Sequence, residues 1–233
     1  MTTIVRNLQL VRDRITTACF AANRNPATVR LLAVSKTFGA DAVADAATDG
    51  QRAFGENYIA EGVEKVLALR AQAGMPALEW HCIGPVQSNK TRLVAEHFDW
   101  VQSVDRLKIA QRLSEQRPAG LPPLQICLQV NIDGGANKSG LAPGEVLALA
   151  QEVSQLPNLV LRGLMAIPEP GADFDADCAV HAKTKALFDE INAAGVLSVA
   201  MDTLSMGMTA DLEAAIHSGS TMVRVGTAIF GKR

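Results

Sequence analysis

Two stretches of the sequence decide the fold: LLAVSK at residues 31–36 and MVRVGT at residues 222–227. Each is a short apolar run that ends in polar residues, as is typical of a buried parallel strand. Between them, six similar apolar runs alternate with amphipathic stretches. The predicted strands are 31–36, 52–55, 79–83, 100–103, 124–130, 160–166, 202–205 and 222–225.

A helical pattern follows each of the first seven predicted strands. Repeated strand–helix units imply a parallel sheet, and eight of them predict an α/β fold closed as a (β/α)8 TIM-type barrel. A doubly wound open sheet is the alternative, because the ring would reopen if 52–55 were not a strand. The predicted helices are 40–49, 57–72, 89–97, 106–116, 143–155, 175–193 and 209–218.

Residues 2–22 place apolar side chains at helical spacing and predict an extra N-terminal helix before the first strand. No linker composition interrupts the chain, so we expect a single domain over residues 1–233.

The composition of the chain narrows the class of protein. Its 233 residues are 48% hydrophobic and 20% charged, which is typical of a globular domain. A formal net charge of −2 predicts no nucleic-acid or acidic-membrane partner. No apolar run reaches the length of a membrane span, and arginines interrupt any signal-peptide core near the N-terminus. Four scattered cysteines predict reduced thiols, and together these features predict a cytoplasmic protein.

Lys36 is the first candidate functional residue, because it ends the first predicted strand. Active sites of (β/α)8 barrels lie at the carboxyl ends of the strands. Desolvation or a nearby cation can lower the pKa of a lysine in such a position, and a neutral amine can attack an aldehyde. A solvated lysine without a function is the alternative.

Arg224 interrupts an otherwise apolar strand. If Val223 and Val225 face the helices, alternation points Arg224 into the barrel, where a guanidinium needs an acceptor such as a pyridine nitrogen. Pairing with a carboxylate or reaching to the rim is the alternative. On closure of the barrel the first and last strands lie about 5 Å apart. We therefore expect the amine of Lys36 and the guanidinium of Arg224 to share one site.

The loops after the seventh and eighth strands are the usual phosphate site of this fold. Ser205 and Thr227 offer hydroxyls there, and Gly207 and Gly226 let backbone N–H groups approach an anion. A short helical turn beginning at Thr227 would point its N-terminus at the phosphate. Ordinary turns are the alternative. Two nearby carboxylates count slightly against an anion site: Asp211 and Glu213.

Several motifs together resemble one family over essentially the whole chain, the YggS/PROSC pyridoxal phosphate homeostasis proteins. The motifs are AVSKT at 33–37, FGENY at 54–58, WHCIGPVQSNK at 80–90, LMAIP at 164–168, LSMGM at 204–208 and TMVRVGTAIFG at 221–231.

The resemblance implies a barrel like the N-terminal domain of alanine racemase, with pyridoxal 5'-phosphate held as a Schiff base on Lys36. It also implies ring and phosphate contacts through Asn57, Ser205, Arg224, Gly226 and Thr227. The chain departs from the family where Phe38-Gly39 replaces a polar pair of some relatives and where Thr209 replaces a common serine.

The resemblance further implies intracellular buffering and delivery of the cofactor without robust catalysis. An arginine at the ring nitrogen disfavours its protonation, which makes the pyridine a weaker electron sink. Racemisation also needs a second acid or base, which the related racemases draw from a tyrosine of an additional domain. Here the only tyrosine, Tyr58, is expected to pack in a loop. The expected partners are pyridoxal phosphate and apo enzymes that depend on it, and the expected state is a monomer.

Two other functions remain open at this stage. One is a slow amino-acid racemase or another fold-type III pyridoxal phosphate enzyme, and the other is a sugar-phosphate aldolase that uses Lys36. The segment GGANKSG at 134–140 lacks the register of a phosphate loop, so we expect it to be a solvated loop. Lys138 and Lys90 are the next candidate amines. The four histidines show no metal-ligand spacing, and we expect no metal site.

Overall fold

The computed structural model describes residues 2–135 and 138–231. Within them, eight parallel strands pair in chain order and close into a barrel. The strands are β1 (Arg30–Val34), β2 (Ala53–Glu56), β3 (Glu79–Cys82), β4 (Trp100–Val104), β5 (Leu124–Val130), β6 (Leu159–Ala166), β7 (Thr203–Ser205) and β8 (Met222–Val225).

Helices cover the outside of this ring. They are α1 (Thr3–Ala21), α2 (Ala40–Thr48), α3 (Ile59–Ala71), α4 (Thr91–His97), α5 (Leu107–Gln116), α6 (Pro143–Ser154), α7 (Phe174–Ala193), α8 (Leu212–His217) and α9 (Thr227–Phe230). The predicted (β/α)8 barrel with an extra N-terminal helix is therefore confirmed.

The junction between the first and last strands closes the ring. β1 pairs with β8 in parallel, with Leu32 opposite Arg224 and Ala33 opposite Val225. β2 pairs with both of its neighbours, so 52–55 does contain a strand. The open-sheet alternative is thereby excluded, and the two segments that carry Lys36 and Arg224 lie side by side.

The N-terminal helix α1 covers a part of the barrel wall that the helix after β8 leaves open. Within the described residues, β8 is followed by the four-residue helix α9, which is too short to cover the barrel wall as the longer helices do. α1 packs against α2, α8 and α9, and Asn7 Nδ2 donates to the carbonyl of Ile229 at 3.0 Å. α1 thus takes the place of the helix that would otherwise follow β8, which explains why it precedes the first strand.

The apolar core has two parts. The larger part lies between the strands and the helices, while smaller clusters fill the barrel itself. Inside the barrel, Trp100 stacks on His81 with ring centroids 5.0 Å apart. Filling the interior with side chains makes the barrel a rigid support and leaves its carboxyl end as the place for a pocket. Among residues 2–135 and 138–231, none of the helices combines the length and the apolar content of a membrane crossing.

Candidate functional site

A pocket of about 500 Å³ opens at the carboxyl ends of the strands, a volume typical of small-molecule sites. It brings together five of the seven predicted site residues: Lys36, Asn57, Arg224, Gly226 and Thr227. The other two, Ser205 and Gly207, do not line it, although Ser205 contacts the lining residue Arg224. The remaining walls come from Val34, Thr37, Phe38, Ile83, Ile167, Met208, Thr209, Ala210 and Gly231.

Lys36 lies two residues beyond the end of β1, where the chain leaves the barrel. It is exposed, and no carboxylate of the described residues lies within ion-pair distance of its amine. The amine is therefore free to react with a molecule in the pocket.

Arg224 projects from β8 into the base of the pocket and is only 4% exposed. One guanidinium nitrogen donates to Ser205 Oγ at 2.7 Å and another to the carbonyl of Ala166 at 2.9 Å. Burial lowers the pKa of Arg224 to about 10, so the group still carries its charge at neutral pH. Asp211 acts on this charge through space, but no carboxylate in the described part of the chain forms an ion pair with it. The unpaired guanidinium favours an anion or a ring-nitrogen lone pair in the pocket.

A chain of hydrogen bonds through the barrel interior fixes the direction of Arg224. Ser205 Oγ donates to Gln102 Oε1 at 2.7 Å, and Gln102 Nε2 donates to His81 Nδ1 at 2.9 Å. The other ring nitrogen of His81 then carries the proton and donates to Glu79 Oε1 at 2.7 Å. Burial lowers the pKa of His81, which keeps the imidazole neutral within this series of hydrogen bonds. The hydroxyl of Ser205 therefore orients Arg224 here, and its contact with a phosphate stays a prediction.

The loop after β7 is shaped by Gly207, whose φ of +93° lies in the left-handed region. Its carbonyl accepts the N–H of Arg224 at 3.0 Å, so this turn also fixes β8. The turn carries Thr209 and Ala210 into the pocket wall. Thr209 lines the pocket but was not among the predicted site residues. The serine that is common at this position in the family could have indicated that the side chain belongs to the site.

The carboxylates of this loop do not face the pocket. Asp211 accepts the N–H of Met208 at 2.6 Å and a hydrogen bond from His181 at 2.9 Å. Burial alone would raise the pKa of Asp211, but these two donors hold it below its usual range. Glu213 pairs with Arg14 at 2.9 Å. The objection that these two acids would repel an anion is thus weakened.

Replacing Gly207 with alanine is expected to destabilise the fold by about 1–3 kcal/mol. The new Cβ would lie 2.4 Å from Ala215 Cβ and would force a strained φ. Urea unfolding measures the difference, and Gly120→Ala is the matched control because its Cβ meets no atom within 4 Å. Equal stability of the two variants would contradict this account of the turn.

Asn57 directly follows β2 and lines the pocket. Its buried Oδ1 has no hydrogen-bond partner among the described residues, which is unusual for a buried polar atom. Its backbone is held by Gly84, where an added Cβ would lie only 2.1 Å from the carbonyl oxygen of Asn57. The backbone of Asn57 is thus closely packed, and its side-chain amide belongs to the lining of the pocket.

Gly226 and Thr227 form the end of the pocket next to Lys36. An added Cβ at Gly226 would lie 3.1 Å from the carbonyl oxygen of Val34, so the backbone packs closely on β1. Thr227 begins α9 and presents its side chain to the pocket. Phe38 stacks on Phe230 with centroids 5.3 Å apart and walls off the side of the site.

The other candidate amines are placed differently. Lys138 is paired with Asp133 at 2.7 Å and Glu169 at 3.2 Å. Burial alone would lower the pKa of Lys138, but these carboxylates raise it above its usual value. Lys90 precedes α4 and does not line the pocket. The predicted solvated loop at 134–140 includes Ala136 and Asn137, which lie outside the described residues.

The site can therefore bind a small molecule that combines an aldehyde, an aromatic nitrogen and an anionic group.

A second cavity of about 430 Å³ lies between α1, α7 and α8, but its Arg14 and Glu213 pair with each other. Over the described ranges, no cluster of three or more histidine, cysteine or acidic side chains could hold a metal ion.

Comparisons with known proteins agree with this geometry. The family model "Alanine racemase, N-terminal domain" matches residues 6–233. A pyridoxal phosphate homeostasis protein of Pseudomonas aeruginosa is 59% identical over all of this chain and 97% of its own length. One of Escherichia coli K12 is 51% identical over all of this chain and 98% of its own. The structure of PipY of Synechococcus elongatus PCC7942 with PLP bound superposes with a TM-score of 0.84 at 35% identity, covering 98% of this chain and 100% of that one.

Proposed function

The chain belongs to the family of pyridoxal phosphate homeostasis proteins, which is built on the alanine racemase N-terminal domain, and we propose that it binds pyridoxal 5'-phosphate and acts in its homeostasis. The observation that carries the proposal is that one pocket contains both an amine without an ion-pair partner, Lys36, and a buried cation without one, Arg224.

Features of the pocket fit this cofactor beyond those two groups. The unpartnered Oδ1 of Asn57 can accept the phenolic hydroxyl hydrogen of the ring, or the amide can donate to the phenolate. Gly226 and Thr227 line the pocket at the start of α9, where the backbone and the Thr227 hydroxyl can contact an anionic group. The apolar side chains of Ile83, Ile167 and Met208 can cover the ring.

The roles of the residues follow from these positions. Lys36 binds the aldehyde, Arg224 donates to the ring nitrogen, and Thr209, Gly226 and Thr227 hold the phosphate. The cofactor supplies an aldehyde carbon, to which the nitrogen of Lys36 forms a bond while the carbonyl oxygen leaves as water. No oxidant or reductant is needed, and the reverse reaction with water releases the cofactor.

We propose that the chain holds and delivers the cofactor and does not catalyse a robust reaction. Among the described residues that line the pocket, Lys36 is the only candidate acid or base besides the guanidinium of Arg224. Racemisation requires such a group on each face of the substrate. Tyr58 is 55% exposed at the start of α3 and does not line the pocket. The charged Arg224 also keeps the ring nitrogen unprotonated, which weakens the ring as an electron sink.

The absorption spectrum of the protein tests this function. Titration with pyridoxal phosphate is expected to produce the yellow band of a Schiff base, and borohydride followed by mass spectrometry is expected to place the label on Lys36. A colourless protein that instead traps a sugar phosphate would identify an aldolase. Loss of optical rotation from amino acids incubated with the loaded protein would identify a racemase.

Three further features belong to this proposal. The chain acts as a single-domain monomer, which light scattering measures with and without the cofactor. It acts in the cytoplasm, as its four free thiols suggest. Its recipients are apo enzymes that depend on pyridoxal phosphate, and transfer to one such enzyme can be followed by recovery of that enzyme's activity.

A further inference from the structure

The turn that carries Lys36 is strained. Ser35 through Phe38 form a β-turn in which the Ser35 carbonyl accepts the N–H of Phe38 at 3.1 Å. Thr37, the third residue of the turn, has a φ of +68°. That position favours glycine, because a side chain in the left-handed region costs conformational energy. A strained turn persists only when its surroundings hold it.

Helix α3 supplies the groups that hold the turn. Glu61 Oε1 accepts the N–H of Thr37 at 2.5 Å. The same oxygen accepts a hydrogen bond from Lys65 Nζ at 2.6 Å. Glu61 and Lys65 thus form an ion pair between residues one helical turn apart. The carboxylate therefore contacts the strained residue directly and is itself held by a cation.

Lys65 anchors the other end of the turn. It is 5% exposed and donates to the carbonyl of Ser35 and to Glu56 Oε1, each at 2.8 Å. Ser35 Oγ also donates to Glu56 Oε1, at 2.6 Å. Burial raises the pKa of Glu56, and the hydrogen bonds from Lys65 and Ser35 oppose that rise. Glu56, Glu61 and Lys65, called here the α3 clamp, thus fix both residues that flank Lys36.

We propose that Glu61 and Lys65 are positioning residues, which hold the Lys36 turn in the conformation that directs its amine to the pocket. The proposal rests on the proposed function, since it concerns formation of the Schiff base on Lys36. Buried ion pairs contribute little net stability compared with apolar side chains of the same size. The α3 clamp contacts the turn at Ser35 and Thr37, on either side of the reactive lysine, which is the placement that a positioning role requires.

Substitutions of Glu61 test the proposal. Glu61→Ala removes the acceptor of the Thr37 N–H, and we expect the rate and affinity of Schiff-base formation with pyridoxal phosphate to fall about tenfold. Glu61→Gln retains a carbonyl acceptor of the same size and is expected to lie between the wild type and Glu61→Ala. Glu64→Ala is the matched control, because it removes the same charge from an exposed position of the same helix.

Thr37→Gly provides the decisive comparison. Glycine adopts the left-handed conformation without a clamp, so adding Glu61→Ala to Thr37→Gly is expected to cost much less than adding it to the wild type. Absorbance titration, borohydride labelling of the Lys36 peptide and thermal unfolding are measured on all the variants. If Glu61 had only a structural role, Glu61→Ala would lower the unfolding temperature, and Thr37→Gly would not restore the affinity of Schiff-base formation.

Two results would overturn the proposal: an unchanged Schiff-base affinity in Glu61→Ala, or a loss that Thr37→Gly does not relieve. Glu61 is partly exposed, and Glu61→Gln preserves its volume, so at least one variant is expected to fold. Failure of the wild-type protein itself to form a Schiff base would refute the proposed function. A normal wild type with an unaffected Glu61→Ala would refute only the positioning role.

Discussion

Lys36→Ala is expected to abolish covalent binding of pyridoxal phosphate. Lys36 is the only lysine among the described residues that line the pocket, so its removal leaves the aldehyde without an amine. The yellow band and the borohydride-stable label should both disappear, and only weak non-covalent binding through Arg224 should remain. The side chain of Lys36 is exposed, so the free energy of unfolding without cofactor should change by less than about 0.5 kcal/mol.

Lys108→Ala serves as the control, since it removes an exposed lysine from α5, away from the pocket. This variant should keep the full band and label. A full band in Lys36→Ala would move the Schiff base to another amine. Lys138 is disfavoured because two carboxylates keep it protonated. Labelling of Lys138 or Lys90 in the wild type would contradict the assignment of Lys36.

The barrel could be predicted from the sequence because each strand leaves a local signal. Every predicted strand is found, and no strand end differs from its prediction by more than two residues. Two helices near the site, α3 and α8, begin later than their patterns suggest. α3 begins at Ile59 because Tyr58 is still extended, and α8 begins at Leu212 because the preceding loop turns at the left-handed Gly207.

The site could be predicted only where strand position alone determines the geometry. Lys36 at the end of β1 and Arg224 inside β8 follow from alternation and closure. The direction of the Ser205 hydroxyl does not, because it depends on Gln102, which is 103 residues away in sequence. The hydrogen bond between Glu61 and Thr37 could not be predicted from the sequence either. It depends on the φ angle of Thr37 and on the approach of α3 to the turn.

The balance between holding and releasing the cofactor follows from the same geometry. Lys36 is exposed, so we expect water to reach the proposed Schiff base on Lys36 and to reverse it. Arg224 is buried and fixed by Ser205 and Ala166, so the noncovalent contacts are preorganised and require little rearrangement. We therefore expect the noncovalent affinity for the cofactor to depend on Arg224. The time for which the cofactor stays covalently bound is expected to depend on Lys36.

Arg224→Gln is therefore expected to weaken binding of pyridoxal phosphate by about 10- to 100-fold while leaving Lys36 able to react. The variant loses a charge-assisted hydrogen bond to the ring nitrogen, which is worth about 1.5–3 kcal/mol. It also loses the only buried cation that the described pocket residues provide. Absorbance titration should show a right-shifted curve that still reaches a Schiff-base band at high cofactor concentration, and borohydride should still label Lys36.

Arg162→Gln is the control, because it neutralises another strand arginine, one that pairs with Asp202 away from the pocket. Its titration curve should match that of the wild type. Thermal unfolding of both variants without cofactor separates binding from stability, since Arg224→Gln also deprives Ser205 and Ala166 of a donor. A normal affinity in a folded Arg224→Gln would mean that the ring nitrogen is not held by β8, and the cofactor would then have to lie across the pocket in another orientation.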